Sequence, residues 1–145
     1  MTLTEAIEQL TQLHAQYGDL QLLHEGFDEG PDENCIVRLQ PVKVHGVASA
    51  EDYHGRPSKR LFLELLDKGT PLPISSVLST LKALAEKYPL DLELVVEAGY
   101  GCIDEVSDIY AAENIDQIGP FFDEDEVDIP TSQFPCALVQ VTSAI

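Results

Sequence analysis

The sequence has no tryptophan and a single methionine, and only eight of its 145 residues are lysine or arginine. Beyond Lys87 there is no lysine or arginine at all. Against twenty-six Asp and Glu this leaves a formal net charge of −18, which disfavours a direct grip on nucleic acid or on an anionic membrane surface. Apolar runs are only a few residues long, and residues 1–10 (MTLTEAIEQL) carry two acids and no basic n-region. The expectation is therefore no signal peptide, no membrane span and a cytoplasmic location. Cys35, Cys102 and Cys136 are odd in number and form no C-x-x-C pair, so buried free thiols in a reducing compartment are expected.

Chemical signatures are equally scarce. There is no G-x-S-x-G, Walker A or G-x-G-x-x-G motif, and Gly99-Tyr100-Gly101 lacks both a third glycine and a following helix. His14, His24, His45 and His54 are scattered, without H-x3-H or H-E-x-x-H spacing. The acidic loops at 26–34 and 123–128 lack the ligand spacing of a calcium loop. Cys102 follows a glycine turn, but nothing in the sequence brings it to His54. No metal, cofactor or catalytic residue is expected, and the chain reads as non-enzymatic.

What is present is a patterned chain, 44% apolar, long enough to bury a core within a single domain spanning 1–145. Its organising stretch is 77–100. VLSTLKALAEKY reads as an amphipathic helix, Pro89 as a turn, and DLELVVEAGY as a buried strand. The same unit precedes it: 6–17 (AIEQLTQLHAQY) runs through Gly18 into 19–27 (DLQLLHEGF). An offset of 71 pairs Ala6, Ile7, Leu10, Leu13 and Tyr17 with Val77, Leu78, Leu81, Leu84 and Tyr88. An offset of 72 pairs Leu20, Leu22, Leu23 and Glu25 with Leu92, Leu94, Val95 and Glu97. This points to a duplicated helix-strand unit, with repeat-like units at about 4–66 and 75–142.

Thr4 is expected to cap the first helix, and Ser75 or Ser76 the second. Residues 35–44 read as a strand that Pro41 confines to an edge or bulge. Residues 45–58 read as a loop, 60–66 and 92–96 as strands with the latter central, and 103–110 as a returning strand. Residues 111–132 read as an irregular acidic arm pinned by Phe121 and Phe122, and 134–142 as a last strand. The fold class is α+β, with two helices on one face of a mixed or antiparallel sheet of five to seven strands.

Function has to rest on charge. Carboxylates on a rigid scaffold can imitate the phosphates of a duplex, which presents one charge per roughly 1.7 Å of axis. The acids placed to do so are Asp104, Glu105 and Asp108, with Asp123, Glu124, Asp125 and Glu126. The plain alternative is a solvated, solubilising face. Tyr53, His54, Arg56, Lys59 and Arg60 form the one basic and aromatic stretch, a candidate rim for a small ligand or acidic partner; the alternative is a surface hairpin whose bases offset nearby acids.

The segment LLHEGFDEGPDEN, with Gly26, Phe27, Gly30, Asp32 and Glu33, resembles a V-x-G-Y-x-G-G-x-D-D-like segment found in small phage and prophage proteins. The likeness runs over about the first 65 residues, with Phe27 where Tyr is usual, and VVEAGYGCIDEV has the same flavour. It implies a mobile-element protein acting inside a bacterial cell and carries over no catalytic residue. The functional expectation is an inhibitor of a host defence or nucleic-acid-binding protein, DNA-mimicking and anti-CRISPR-like. An immunity protein or antitoxin against a basic nuclease toxin is the alternative. The partner expected is a host or toxin protein with a basic surface; the oligomeric state stays open.

Overall fold

Both stretches with apolar residues at helical spacing fold as helices. The structure, a computed structural model, describes residues 1–29, 35–51, 57–97, 103–118 and 126–142, without the side chains of 28, 29, 50 and 51. Helix α1 (Leu3–Tyr17) buries Leu3, Ala6, Leu10 and Leu13, and α2 (Ile74–Ala85) buries Ile74, Val77, Leu78 and Leu81. Their N-termini are capped differently from expectation. Thr2, not Thr4, caps α1 in a reciprocal box with Glu5, because Thr4 Oγ1 donates instead to the Leu90 carbonyl. Pro73 occupies the cap position of α2 and offers no side-chain acceptor. Asp19, in the turn after α1, replaces it by accepting from Ser75 N–H at 2.9 Å and Ser75 Oγ at 2.6 Å. Those two hydrogen bonds hold the Asp19 carboxyl below the usual carboxylate range.

Seven strands follow the order β1 (Leu22–Glu29), β2 (Cys35–Glu51), β3 (Pro57–Leu65), β4 (Leu94–Glu97), β5 (Ile103–Ala112), β6 (Glu126–Val127) and β7 (Cys136–Thr142). The sheet is mixed, as expected, but it is not open. β1 pairs with both β7 and β2, so the ring β1-β2-β3-β4-β5-β7 closes into a six-stranded barrel, with β6 beside β2. Each half of the ring is an antiparallel meander preceded by a helix: α1-β1-β2-β3 and α2-β4-β5-β7. The halves join through two short parallel ladders. Leu61, Phe62 and Leu63 pair with Leu94, Val95 and Val96, and Ala137, Leu138 and Val139 pair with Leu22, Leu23 and His24.

The repeat expected from the offsets of 71 and 72 recurs in the backbone hydrogen bonds. Leu3 N–H donates to Leu92 O at 2.8 Å, as Ile74 N–H does to Leu20 O. Leu94 N–H donates to Met1 O at 2.9 Å, as Leu22 N–H does to Leu72 O. Leu61 N–H donates to Glu93 O at 2.9 Å, as Ala137 N–H does to Gln21 O. Each helix start is thus tied to the first strand of the other half.

Alternation along the strands sends Leu22, Leu61, Leu63, Leu94, Val96, Val106, Ile109 and Val139 into one core with both helix stripes. The opposite face buries Leu23, Leu39, Ala112, Cys136 and Leu138 under Ile118, Ile129 and Phe134. A fully buried leucine contributes roughly 2 kcal/mol.

Three further expectations change. Residues 45–51 and 57–58 are not loop but continue the β2-β3 ladder; the tip, 52–56, lies outside the described residues. Pro41 does not mark a sheet edge. It sits where β2 leaves β1 for β3, pairing with Leu23 while its carbonyl accepts from Leu66 N–H, so its missing N–H costs the ladder little at that crossing. The acidic arm has regular structure where it is described: Ala111 and Ala112 belong to β5, Ile115–Gln117 form a 3-10 turn, and Ile118 is buried; Phe121 and Phe122 lie outside the described residues.

Two outcomes test this account. Asp19→Ala should lower unfolding free energy by about 1 kcal/mol in urea melts, the usual worth of an N-cap. The loss should shrink as pH falls through the depressed Asp19 pKa, because protonation removes the same acceptor in the unmutated chain. At Gly26 an added Cβ would stand on Oε1, Cδ and Cγ of Gln40. Gly26→Ala should therefore destabilise, and Gln40→Ala should recover part of that loss in a double-mutant cycle.

Candidate functional site

The parallel ladders are only three pairs long, and beyond each the strands part to pair elsewhere. After His24 and Val139, β1 continues along β2 while β7 continues along β5. The opening is a cleft of about 280 Å³ lined by His24, Glu25, Phe27, Tyr110 and residues 138–141. The matching opening after Leu63 and Val96 holds about 120 Å³, lined by His45, Phe62, Leu63, Glu64 and Glu97. Glu25 and Glu97, which the offset of 72 pairs, stand at equivalent lips.

The two clefts differ in charge. In the smaller, Lys43 faces Glu64 across β2 and β3, with Nζ 3.1 Å from Glu64 Oε2, and His45 Nδ1 lies 3.4 Å from the same oxygen. The Lys43 hydrogen bond lowers the Glu64 pKa. In the larger, the residue opposite Gln140 is Asp108. Gln140 corresponds to Glu64 through the ladders, so Asp108 occupies the place of Lys43. Among the described residues, no cation lies within ion-pair distance of Glu25, Glu105 or Asp108.

Local geometry collects these acids. A bulge at Ser107, whose Oγ donates to Gln140 O at 3.2 Å, interrupts the β5-β7 register between Val106 and Asp108. An extra residue restores the parity of Glu105 to Asp108, so both share the face that carries Tyr110 and Glu25. Half-burial pushes the Glu25 carboxyl above its usual range. Tyr110, whose hydroxyl donates to Gln117 O at 3.3 Å, has its pKa raised first by burial and then by the charge of Glu25. Phe27 is 61% exposed beside them.

The acids expected to act together are divided. Asp104 has the parity of Val106 and lies on the helix-side face, where its charge acts on His24. Glu105 and Asp108 are on the other face. Glu126 is on β6, which attaches to β2, so β7, β1 and β2 separate it from β5. Asp123, Glu124 and Asp125 lie outside the described residues, as do Tyr53, His54, Arg56 and Cys102. Arg60 is in β3 opposite Ala48, within the strand expected at 60–66. The sequence reading missed Glu25, Phe27 and Tyr110 as site residues, although Glu25 and Glu97 were already matched by the repeat.

His24 is the polar exception on the helix-side face. Its Nδ1 is within hydrogen-bonding distance of Glu25 O, which makes Nδ1–H the donor, and its Nε2 is buried without a partner. Burial lowers its pKa, partly offset by the Glu25 carbonyl and Asp104. Cys35 is exposed, whereas Cys136 is buried with its thiol pushed up to about 11. A thiol so reluctant to ionise is a poor nucleophile. Among the described residues, no three His, Cys, Asp or Glu side chains gather as a metal site, and no helix is long and apolar enough to cross a membrane.

This geometry defines the chain by architecture: a closed mixed barrel of two αβββ halves, with Glu25, Glu105 and Asp108 on one face. No family model, curated protein or solved structure matches it.

His24 supplies a pH prediction. Its folded pKa lies below the ordinary 6.5, so the unfolded chain binds the extra proton first and stability falls as pH drops through 6.5 towards the folded value. His24→Val, matching Val96, should flatten the denaturation midpoint between pH 7 and 5. An unchanged slope would remove His24 as its source.

Proposed function

We propose that the chain is a non-enzymatic binding protein whose β5-β7-β1 face occupies a basic surface on another protein. The reading is carried by the contrast between the two equivalent clefts. Lys43 pairs with Glu64 beside one, and Asp108 stands in its place beside the other, where among the described residues Glu25, Glu105 and Asp108 have no cation within ion-pair distance. Acids scattered for solubility alone would give no reason for the matched positions to differ in sign. Exposed Phe27 beside half-buried Tyr110 adds the aromatic content usual at interface centres.

A surface dense in carboxylates complements a site that normally binds phosphates. The partner class is therefore a nucleic-acid-binding protein, and the role is an inhibitor carried by a phage or mobile element against a host defence or nucleic-acid-binding protein. Neutralisation of a basic nuclease toxin uses the same chemistry, and a toxin gene beside this one would favour it.

The test is capture of partners from bacterial lysate with tagged wild type, Glu105→Lys/Asp108→Lys, and a control reversal at Asp91 and Glu113. A nucleic-acid-binding protein should be retained at low salt, released by added DNA, lost with the Glu105/Asp108 pair and kept with the control. Its affinity should fall at least tenfold between 50 and 200 mM salt, on the order expected when several charge contacts are screened. Equal retention by both variants would return these acids to a solubilising role.

A further inference from the structure

We infer, resting on that reading of the acidic face, that the cleft between β1 and β7 is a receptor for one lysine or arginine side chain of the basic partner. Among the described residues its walls offer acceptors and rings but no lysine or arginine. Glu25 brings a carboxylate, Tyr110 has lone pairs left over from donating to Gln117 O, and Phe27 and Tyr110 provide aromatic surface against which an alkyl stem or guanidinium can lie. His24 also lines it, and its burial keeps the imidazole neutral, so it does not compete with an incoming cation. A lining of this kind selects a group that only donates hydrogen bonds and is positively charged. At neutral pH ammonium and guanidinium are the protein side chains that meet both conditions; a protonated imidazole joins them only at lower pH.

The other half of the barrel carries a cation at the position equivalent to Asp108. There Glu64 receives the ammonium of Lys43 from the adjacent strand. In the β1-β7 cleft the corresponding pair is Gln140 and Asp108, so among the described residues the barrel supplies no cation of its own there. The volume, about 280 Å³, falls at the small end for ligand sites and suits a side chain better than a folded element. Half-burial makes Glu25 the residue with most to gain from a cation: its charge is partly desolvated and unpaired.

The titratable groups facing Glu25 are His24 and Tyr110, with Asp108 acting on Tyr110 from β5. Binding should weaken as pH falls through the raised Glu25 pKa, because the neutral carboxyl no longer attracts the cation. His24 protonation below neutrality adds repulsion in the same direction.

The experiment is an NMR titration of the isotope-labelled full chain at low salt with N-acetyl-lysine-N-methylamide, its arginine counterpart and neutral N-acetyl-norleucine-N-methylamide. The two cations should shift the amides of Glu25, Phe27, Tyr110 and Gln140 saturably, and the norleucine probe should not. Glu25→Gln should weaken the cations at least fivefold with an unchanged melting curve, and Glu97→Gln should leave them bound. Shifts spread over all acidic surfaces, or equal loss in Glu25→Gln and Glu97→Gln, would overturn the receptor. Partner capture that needs Glu105 and Asp108 while Glu25→Gln binds probe and partner like wild type would overturn the cleft and spare the acidic face. Cation binding that depends on Glu25, with no partner captured, would leave the cleft standing and remove the inhibitor reading.

Discussion

The structure depends on the reciprocal tie between each helix start and the other half's first strand. Leu3 and Met1 hold the approach to β4, and Ile74 and Leu72 hold the approach to β1, through the same backbone groups. These bonds place the first turn of each helix over the parallel junctions, where Leu22, Leu94, Leu61 and Ala137 enter the core. Neither half can complete its core alone, because the helix of one half is anchored on the strand of the other. Closure follows: with β1 joined to β7 and β3 to β4, the ring of strands is continuous.

Closure also creates the clefts. A parallel ladder of three pairs is enough to seal the barrel, but the antiparallel partners on either side draw the strands apart beyond it. Two openings at equivalent positions result, and side chains decide what each becomes. Beside the smaller opening Lys43 pairs with Glu64, while Glu97 has no cation within ion-pair distance among the described residues. With Asp108 opposite Gln140, the larger stays negative, and the half-buried Glu25 carries the electrostatic cost. A symmetric backbone has therefore been given asymmetric charge, which is the physical basis for assigning recognition to one face.

Much of the backbone was legible in the sequence. The stripes Ile7-Leu10-Leu13 and Val77-Leu78-Leu81-Leu84 carry the helical period, and the offsets of 71 and 72 exposed the two halves. Helix caps were less legible, since Asp19 caps α2 from 56 residues away and no local pattern signals that. The β2-β3 ladder was read as loop at 45–58 because of the mixture Tyr53, His54, Gly55, Arg56 and Pro57, yet 45–51 and 57–58 continue the ladder, with a bulge at His45.

The sequence alone determined the composition of the halves, their helical and strand periods and the surplus of negative charge, because these depend on neighbours along the chain. Tertiary structure decided which acids meet. The Ser107 bulge turns Asp108 to the side of Glu105 and away from Asp104, and the ladders set Asp108 where the other half has Lys43. Those matches need offsets of 108 − 43 = 65 and 137 − 61 = 76, because loops of unequal length separate the later strands of the two halves. A uniform offset cannot reveal them, whereas hydrogen-bond register across the barrel does.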